Sequence, residues 1–520
     1  MVNVSKYTAI TFAPVQGFIE KSRKLRDLYG ASLILSYLSQ KLVKEAKRTT
    51  TVISPAIPNL QKGMPNRILI KGEFSQSQVE QTLLSAWKEI LHECRTWIEK
   101  KLPDYKYHWE REWTNWGNHT WEIFWAQGNS IQKAMNNLET CKLSRGWTAV
   151  NWIGESSSLT GTDGIAFPGL GGEARNPKFL SYHSENEEIK DFYKALAAIT
   201  KEPGEDTPEG KFIAPNEKLS IPELVKRLVM WDEIREKLGI ERLDKSFKEI
   251  QRKPQPTENI PGQWTGWFMG DGDKVGEHLK NLAAKENGDE EIQNFSESMH
   301  NWGKEFSDKF NLHEKIGRIV YAGGDDFLGI IYSKNPAEPI SPLKAFEWLT
   351  TLNGKWEEHK QPLTVSVGFV WVAGSVPQRD VLQHCREAQK LAKSLGRDRV
   401  TIRIVFNSGQ YVQWTCPWNY LDILTKYQDR EGQANWSHIY QDLAQLESRR
   451  AFNIDKKTYT EKFAIDFFDI YFPGEGKDLL NYERAKYLVG FSDEDDSNER
   501  AKATVEWIND LIKVGWHLSN

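Results

Sequence analysis

The sequence predicts an α+β chain of four parts: two sheet-and-helix domains, an intervening segment, and a helical C-terminal domain. Three observations lead there. At 520 residues the chain is too long for one ordinary hydrophobic core. Two blocks alternate short apolar β-branched runs with long amphipathic helices in a similar order. Between and after them lie loop-rich and helix-rich stretches of different texture. The expected boundaries are 1–145, 146–258, 259–408 and 409–520.

In the first block, Tyr7 to Pro14 reads as a strand. The helix that follows carries Leu28, Ala31, Leu35, Leu38 and Leu42 on one stripe. "NRILIKGE" is a second strand, and Ser75 or Ser77 caps the long helix of "SQSQVEQTLLSAWKEILHECRTWIEKKL". "HTWEIFWAQ" is a further strand. The intervening segment contains the loops "GESSSLTGTDGIAFPGLGGEARNP" and "KEPGEDTPEGKFIAPNEK", with the helical "IPELVKRLVMWDEIREKLG" nearby. "QRKPQPTENIPG" reads as a linker.

The second block opens with the strand "WTGWFMGDGD", followed by two helices. "GRIVYAGGDDFLGIIYS" is a hairpin, "AFEWLTTLNGKWEEH" a helix and "PLTVSVGFVWVA" a strand. The next helix sets Val381, Cys385, Ala388 and Ala392 on one face, and "VTIRIVF" closes the sheet. From about Asn407 onward the chain reads as mostly helical. The acidic "SDEDDSNER" complements the dipole of the last helix. The matching order of the two blocks indicates an internal duplication.

Bulk properties exclude several classes. The net charge of −4 rules out polyanion binding by overall charge, so any nucleic-acid contact needs a local patch. The basic pairs Arg449, Arg450 and Lys456, Lys457 are such candidates, toward RNA or a small helical subunit, although solvated surface is the commoner explanation of each pair. Cys94, Cys141, Cys385 and Cys416 show no CxxC spacing, so neither zinc nor a redox motif is indicated. No apolar run spans a bilayer and no signal peptide is present, so no membrane role and a cytoplasmic location are expected.

The chemistry concentrates at the hairpin tip. Gly323 and Gly324 allow a tight turn and a close phosphate approach, and Asp325 and Asp326 stand beside each other. A turn needs only one Asp; two adjacent carboxylates repel unless a cation lies between them. Asp271 and Asp273 end an apolar strand that the element order places next to this hairpin. Carboxylates at neighbouring strand ends form a hard-oxygen site suited to Mg²⁺ or Mn²⁺, whose other ligands are commonly waters and phosphates. Lys393 and Arg397, four apart at a helix end, supply the matching positive charge for a triphosphate.

The trio "DGD", "GGDD" and "AKSLGR", with "TVSVGFV" before the last, resembles the palm of nucleotide cyclases and polymerases. "PVQGFIEKSRKLRDLYGASLILS" and "PNLQKGMPNRILI" sharpen this. They resemble the large palm subunit of type III CRISPR effector complexes, closest to the Cmr branch. The resemblance implies two palm domains of ferredoxin-like, nucleotide cyclase-like fold, the first degenerate. It implies a cyclic oligoadenylate synthetase acting on ATP when guide RNA in its complex pairs with target RNA. Asp271, the Gly272 carbonyl, Asp325 and Asp326 would then hold two metal ions, with Asp271, Asp325 and Asp326 catalytic. Gly323, Gly324, Lys393, Arg397 and Asp273 would bind nucleotide. Ser32 and Ser36, on the first block's long helix, would meet an adenine edge. The implied partners are backbone and small helical subunits of the complex, guide RNA and target RNA.

Two departures from larger members of that family follow from the residues. No His-Asp dipeptide occurs, so no HD-type DNase activity is expected of this polypeptide, and the loop between the palms lacks the four cysteines of a zinc site. A silent scaffold is the alternative of a different class, although Asp271, Asp325, Asp326 and Lys393 are all present. A GGDEF-type dinucleotide cyclase is a third reading, set against the "GGDDF" tip and separable by adenine against guanine selectivity.

Overall fold

The computed structural model describes residues 6–56, 66–144, 152, 154–171, 181–201, 212–240, 252, 262–335, 337–429, 431–453 and 460–519. Most of the expected linker, most of "PNLQKGMPN", and Lys456 and Lys457 lie outside the described residues. The chain divides into two compact units. One comprises Met1–Glu249, Gly276–Lys304 and Val320–Gly324; the other comprises Ile250–Val275, Glu305–Ile319 and Asp325–Asn520.

The first part of the chain contains β1 (Tyr7–Ala13), α1 (Val15–Glu20), α2 (Leu25–Ala46), β2 (Thr51–Ser54), β3 (Ile68–Lys71), α3 (Gln76–Lys101), α4 (Glu110–His119), β4 (Glu122–Gly128) and α5 (Ile131–Leu143). There follow α6 (Tyr182–Ile199), α7 (Ile221–Leu228) and α8 (Asp232–Lys237). The strands form one sheet in the order β4-β1-β3-β2. Ser75 caps α3 in a capping box with Gln78. The short run "TVIS" forms β2, an edge strand that a four-residue stretch does not announce.

The expected boundary near residue 145 does not separate two cores. One apolar cluster runs from Ile10 to Ile240 and takes in residues of α6, α7 and α8. α2 and α7 pack backbone to backbone: a Cβ on Gly30 would lie 1.7 Å from the Lys226 carbonyl oxygen. The Arg227 guanidinium is fully buried beside them. Its Nε donates to Asp27 Oδ1 at 2.7 Å and its Nη1 to Glu217 Oε2 at 2.6 Å. Lys24 adds a second cation on Glu217 at 2.8 Å.

In the rest of the chain are β5 (Thr265–Gly272), α9 (Val275–Ala283), α10 (Gly288–Asp308), β6 (Gly317–Ala322), β7 (Asp326–Ile331), α11 (Pro342–Thr350), α12 (Leu352–Glu357), β8 (Val365–Val372), α13 (Gln378–Ser394), β9 (Arg399–Val405) and β10 (Tyr411–Pro417). A helical tail contains α14 (Ile423–Lys426), α15 (Ser437–Ser448), α16 (Glu461–Tyr471), α17 (Gly476–Leu480), α18 (Tyr482–Val489) and α19 (Ser497–Ser519). The sheet order is β10-β9-β8-β5-β7-β6. Its β8-β5-β7-β6 portion repeats the β4-β1-β3-β2 order of the first sheet, as an internal duplication predicts.

Two expectations about this region need correction. β9 does not close the sheet, because β10 pairs with it antiparallel, so the segment after Asn407 starts as strand rather than helix. The expected helix "AFEWLTTLNGKWEEH" is broken at Thr351 into α11 and α12. The aromatic residues are spent under the sheet. Phe268 lies 4.6 Å from Trp348 and 5.6 Å from Phe310, ring centre to ring centre, and Phe327 lies 6.0 Å from Trp356.

β5 and β7 interlock through reciprocal glycine–phenylalanine pairs. Gly270 faces Phe327 and Phe268 faces Gly329 in register. A Cβ on either glycine would come within 2.1 Å of the opposing ring. Each ring therefore lies over the backbone of its cross-strand partner, which only glycine permits. Among the described residues no helix is long and apolar enough to cross a membrane. Arg449 and Arg450 are exposed past the end of α15.

Arg227→Met should lower the stability of the first unit by about 3–5 kcal/mol, because it leaves buried carboxylates short of their counter-ion. Burial alone would raise the Glu217 carboxyl, but Arg227 and Lys24 outweigh it and hold it at about 2 against an ordinary 4.5. A depressed carboxyl stabilises the fold above its unfolded value and loses that contribution as pH falls through the folded one. Thermal melts between pH 5 and about 2 should therefore show a steeper acid loss in wild type than in the variant.

Candidate active site

The site is built by the register of β5. Asp271 lies directly opposite Asp326 on β7 and opposite Ser366 on β8. Asp325 precedes β7, and its carbonyl accepts from the Gly272 N–H at 2.7 Å. The hairpin is thereby stitched to the end of β5. Gly272 leaves little room for a side chain: a Cβ would meet Val275 Cγ2 at 2.9 Å and the Trp356 ring at 3.2 Å. Gly324 sits at φ 156 in the turn between β6 and β7.

Like charges directly opposed on adjacent strands destabilise a sheet. Here Asp271 and Asp326 are so opposed, with Asp325 next in the chain. Desolvation, then the charges of Asp325 and Asp271, push the Asp326 carboxyl up to about 7. Asp326 keeps an exposed surface, so the like charges are the cause that carries weight. Lys393, at the end of α13, answers part of this charge: its Nζ lies 2.6 Å from Asp271 Oδ1. Both side chains are about one-third exposed, at 29% and 39%.

Among the described residues no three His, Cys, Asp or Glu side chains are drawn together as a ready cation cage. The donor set nevertheless fits a divalent cation of the Mg²⁺ or Mn²⁺ class. Asp271, Asp325 and Asp326 are hard oxygen ligands whose mutual repulsion calls for positive charge, and the Lys393 ammonium stands against Asp271 as a cation does.

Asp273 does something other than the expected nucleotide contact. The strand ends at Gly272, so side-chain alternation stops there, and Asp273 turns inward to 4% exposure. Its carboxylate accepts from Thr364 Oγ1 at 2.9 Å, Ser366 Oγ at 2.7 Å and the Asp398 N–H at 3.0 Å. One buried anion thus fastens β5, the start of β8 and the turn between α13 and β9. Nothing in an isolated "DGD" distinguishes an inward from an outward second Asp. The hydroxyls of "LTVS" are the signal that could have done so.

Lys393 and Arg397 also fail to share a helical face. α13 ends at Ser394, and Gly396 (φ 125), Arg397 (φ 65) and Asp398 (φ 51) all have positive φ. Gly396 breaks the helix where a left-handed residue is tolerated. Arg397 is exposed on this turn. On α2, Ser32 is half-buried. Ser36 is fully buried and its hydroxyl has no hydrogen-bond partner among the described residues, so it is closed to a ligand in this state.

Asp326→Asn should raise the melting midpoint in the presence of a chelator by about 2 °C, because it removes one of three crowded like charges. Differential scanning calorimetry with and without Mg²⁺ checks this; an unchanged or lower midpoint in chelator would contradict the repulsion.

Residues 265–401 match the model of the Cas10/Cmr2 second palm domain, and residues 7–92 match that of the N-terminal region of CRISPR-associated protein Cmr2. Among solved structures, the chain is similar to a type III-B Cmr-beta structure in its apo state. The two are 11% identical with a TM-score of 0.59, over 98% of this chain and 82% of that one. At this identity the likeness concerns the fold. A chain of the Csm1–Csm4 subcomplex of the type III-A CRISPR-Csm interference complex aligns at 13% identity and TM-score 0.49, over 99% and 70%. No curated protein sequence matches the chain.

Proposed function

We propose that this chain, whose residues 265–401 match the Cas10/Cmr2 second palm domain and whose residues 7–92 match the Cmr2 N-terminal region, polymerises ATP into cyclic oligoadenylates as a subunit of a type III CRISPR effector complex. The observation that carries the reading is the opposed pair Asp271 and Asp326, with Asp325 adjoining and Lys393 against Asp271. This arrangement stores negative charge where a cation and a triphosphate would relieve it.

In this reading Asp271, the Gly272 carbonyl, Asp325 and Asp326 would hold two divalent cations. When bound, these supply Lewis acidity at the α-phosphate and lower the pKa of the attacking hydroxyl. The chain's own residues do the rest. Gly323 and Gly324 leave room for the phosphates at the tip. Lys393 exchanges its carboxylate partner for phosphate oxygen, and Arg397 adds a forked donor from the adjoining turn. The 3′-oxygen of one ATP bonds to the α-phosphorus of another, and the bond to the bridging β-phosphate oxygen breaks. The hydroxyl proton is lost to water and pyrophosphate leaves carrying the electron pair. Charge neutralisation by Lys393 and Arg397 favours that departure.

The partners in this reading are the other effector subunits, guide RNA and target RNA. The test uses the complex assembled with guide and matching target RNA, supplied with ATP and Mg²⁺ or Mn²⁺. Mass spectrometry should find cyclic oligoadenylates from wild type and none from an Asp325→Ala, Asp326→Ala double variant. Absence of product from both, with either metal, would leave an assembly scaffold as the function. Lys393→Met should raise the KM for ATP about tenfold or more, the cost of losing one charge-assisted phosphate contact. Steady-state kinetics on the same complex measures this.

A further inference from the structure

The turn after α13 is held from two sides. Gly396, Arg397 and Asp398 are three consecutive residues with positive φ, two of them not glycine. For the two that are not glycine such backbone is strained and persists only where its surroundings impose it. Asp273 grips the turn from inside through the Asp398 N–H. Arg399 grips it from the other side. Its Nε donates to the Arg397 carbonyl at 3.0 Å and its Nη2 to the Tyr487 carbonyl, on α18, at 3.0 Å. The guanidinium lies against Gly396, where a Cβ would meet Nη2 at 2.6 Å. It also lies against Gly490, the left-handed cap of α18, where a Cβ would meet Nη1 at 3.0 Å.

Arg399 is 2% exposed, yet it makes no salt bridge among the described residues, and its Nη1 has no hydrogen-bond partner there. A buried guanidinium without a carboxylate is a poor device for stability alone, because its desolvation is not repaid by an ion pair. What it does achieve is geometric: it fixes the Arg397 carbonyl, and hence the strained turn, to the end of α18.

We infer that Arg399 is a positioning residue that ties the phosphate-binding turn to the C-terminal helix α18. This rests on the proposed function only in assigning Arg397 and Lys393 to phosphate. Arg399 touches neither nucleotide nor cation. It holds the turn in the conformation from which Arg397 acts, so α18 becomes part of the site's support.

The test compares wild type, Arg399→Met and Arg399→Lys in the full chain. Two readouts are used: hydrogen–deuterium exchange of the backbone, and ATP binding by calorimetry with Mg²⁺. The methionine variant should exchange about tenfold faster at residues 396–398 and bind ATP about tenfold more weakly, as for the loss of one or two hydrogen bonds to a charged donor. Exchange in the β5–β8 pairing should stay unchanged. The lysine variant, which keeps a cation that can reach one carbonyl, should fall between. Unchanged ATP affinity in Arg399→Met overturns the inference, as does faster exchange spread evenly over β5, β8 and β9, which marks a purely structural role. A wild-type chain that binds no ATP overturns the proposed function and this inference together, whereas wild-type binding with an indifferent Arg399→Met removes the inference alone.

Discussion

The strand ends that carry the candidate site depend on the carboxylate of Asp273. A buried anion is expensive unless its lone pairs are used, and here two hydroxyls and one backbone N–H use them. Those three donors come from β8 and from the turn before β9, so the charge sets three separate chain segments at fixed distances. Asp271 is two residues before Asp273, and Lys393 is five before Asp398. The placement of Asp271 and Lys393 is therefore inherited from a residue that is itself buried. The surface acids can afford to repel each other because the inner acid is satisfied.

Much of this was legible in the residues. The strand-and-helix order of the second block is seen in the fold, and the GGDD tip lies at the predicted junction of β6 and β7. Strong patterns made that possible: Val381, Cys385, Ala388 and Ala392 are all fully buried on one face of α13. What escaped was whatever depended on a partner distant in sequence. The inward turn of Asp273 needs Thr364 and Ser366, about ninety residues on. The break after Ser394 was signalled by Gly396, but helical spacing between Lys393 and Arg397 masked it. β2 and β10 were missed for a different reason: they are edge strands, one very short, whose pairing is decided by a neighbour rather than by their own composition.

The two sheets share a strand order but spend their charged residues differently. In the second, carboxylates gather at the strand ends, where they are partly exposed and in conflict. In the first, the charges gather between α2 and α7, where Arg227, Asp27, Glu217 and Lys24 neutralise one another out of water. That network gives "KLRDLYGAS" a structural task within a helix that is buried on most of its surface. Gly30 admits the α7 backbone, and Asp27 supplies the anion that Arg227 needs. The two copies of one framework thus carry their charges differently, crowded at strand ends in one and neutralised in the interior in the other.

The shared strand order also governs how the chain can come into being. In each sheet the strand made first ends up in the middle. β5 must wait for β7, about sixty residues later, and for β8, about a hundred later, before either of its edges is covered. Until Val372 has left the ribosome, the segment "TGWFMG" has no partner on one side, and its Trp267 and Phe268 are fully buried at the end. During synthesis the future centre of the sheet is its most adhesive stretch. Slow non-local pairing is the kinetic counterpart of the architecture that brings Asp271 between two neighbours. A cell producing this chain alone, at high rate, should lose more of it to aggregation of nascent chains than its finished stability would lead one to expect.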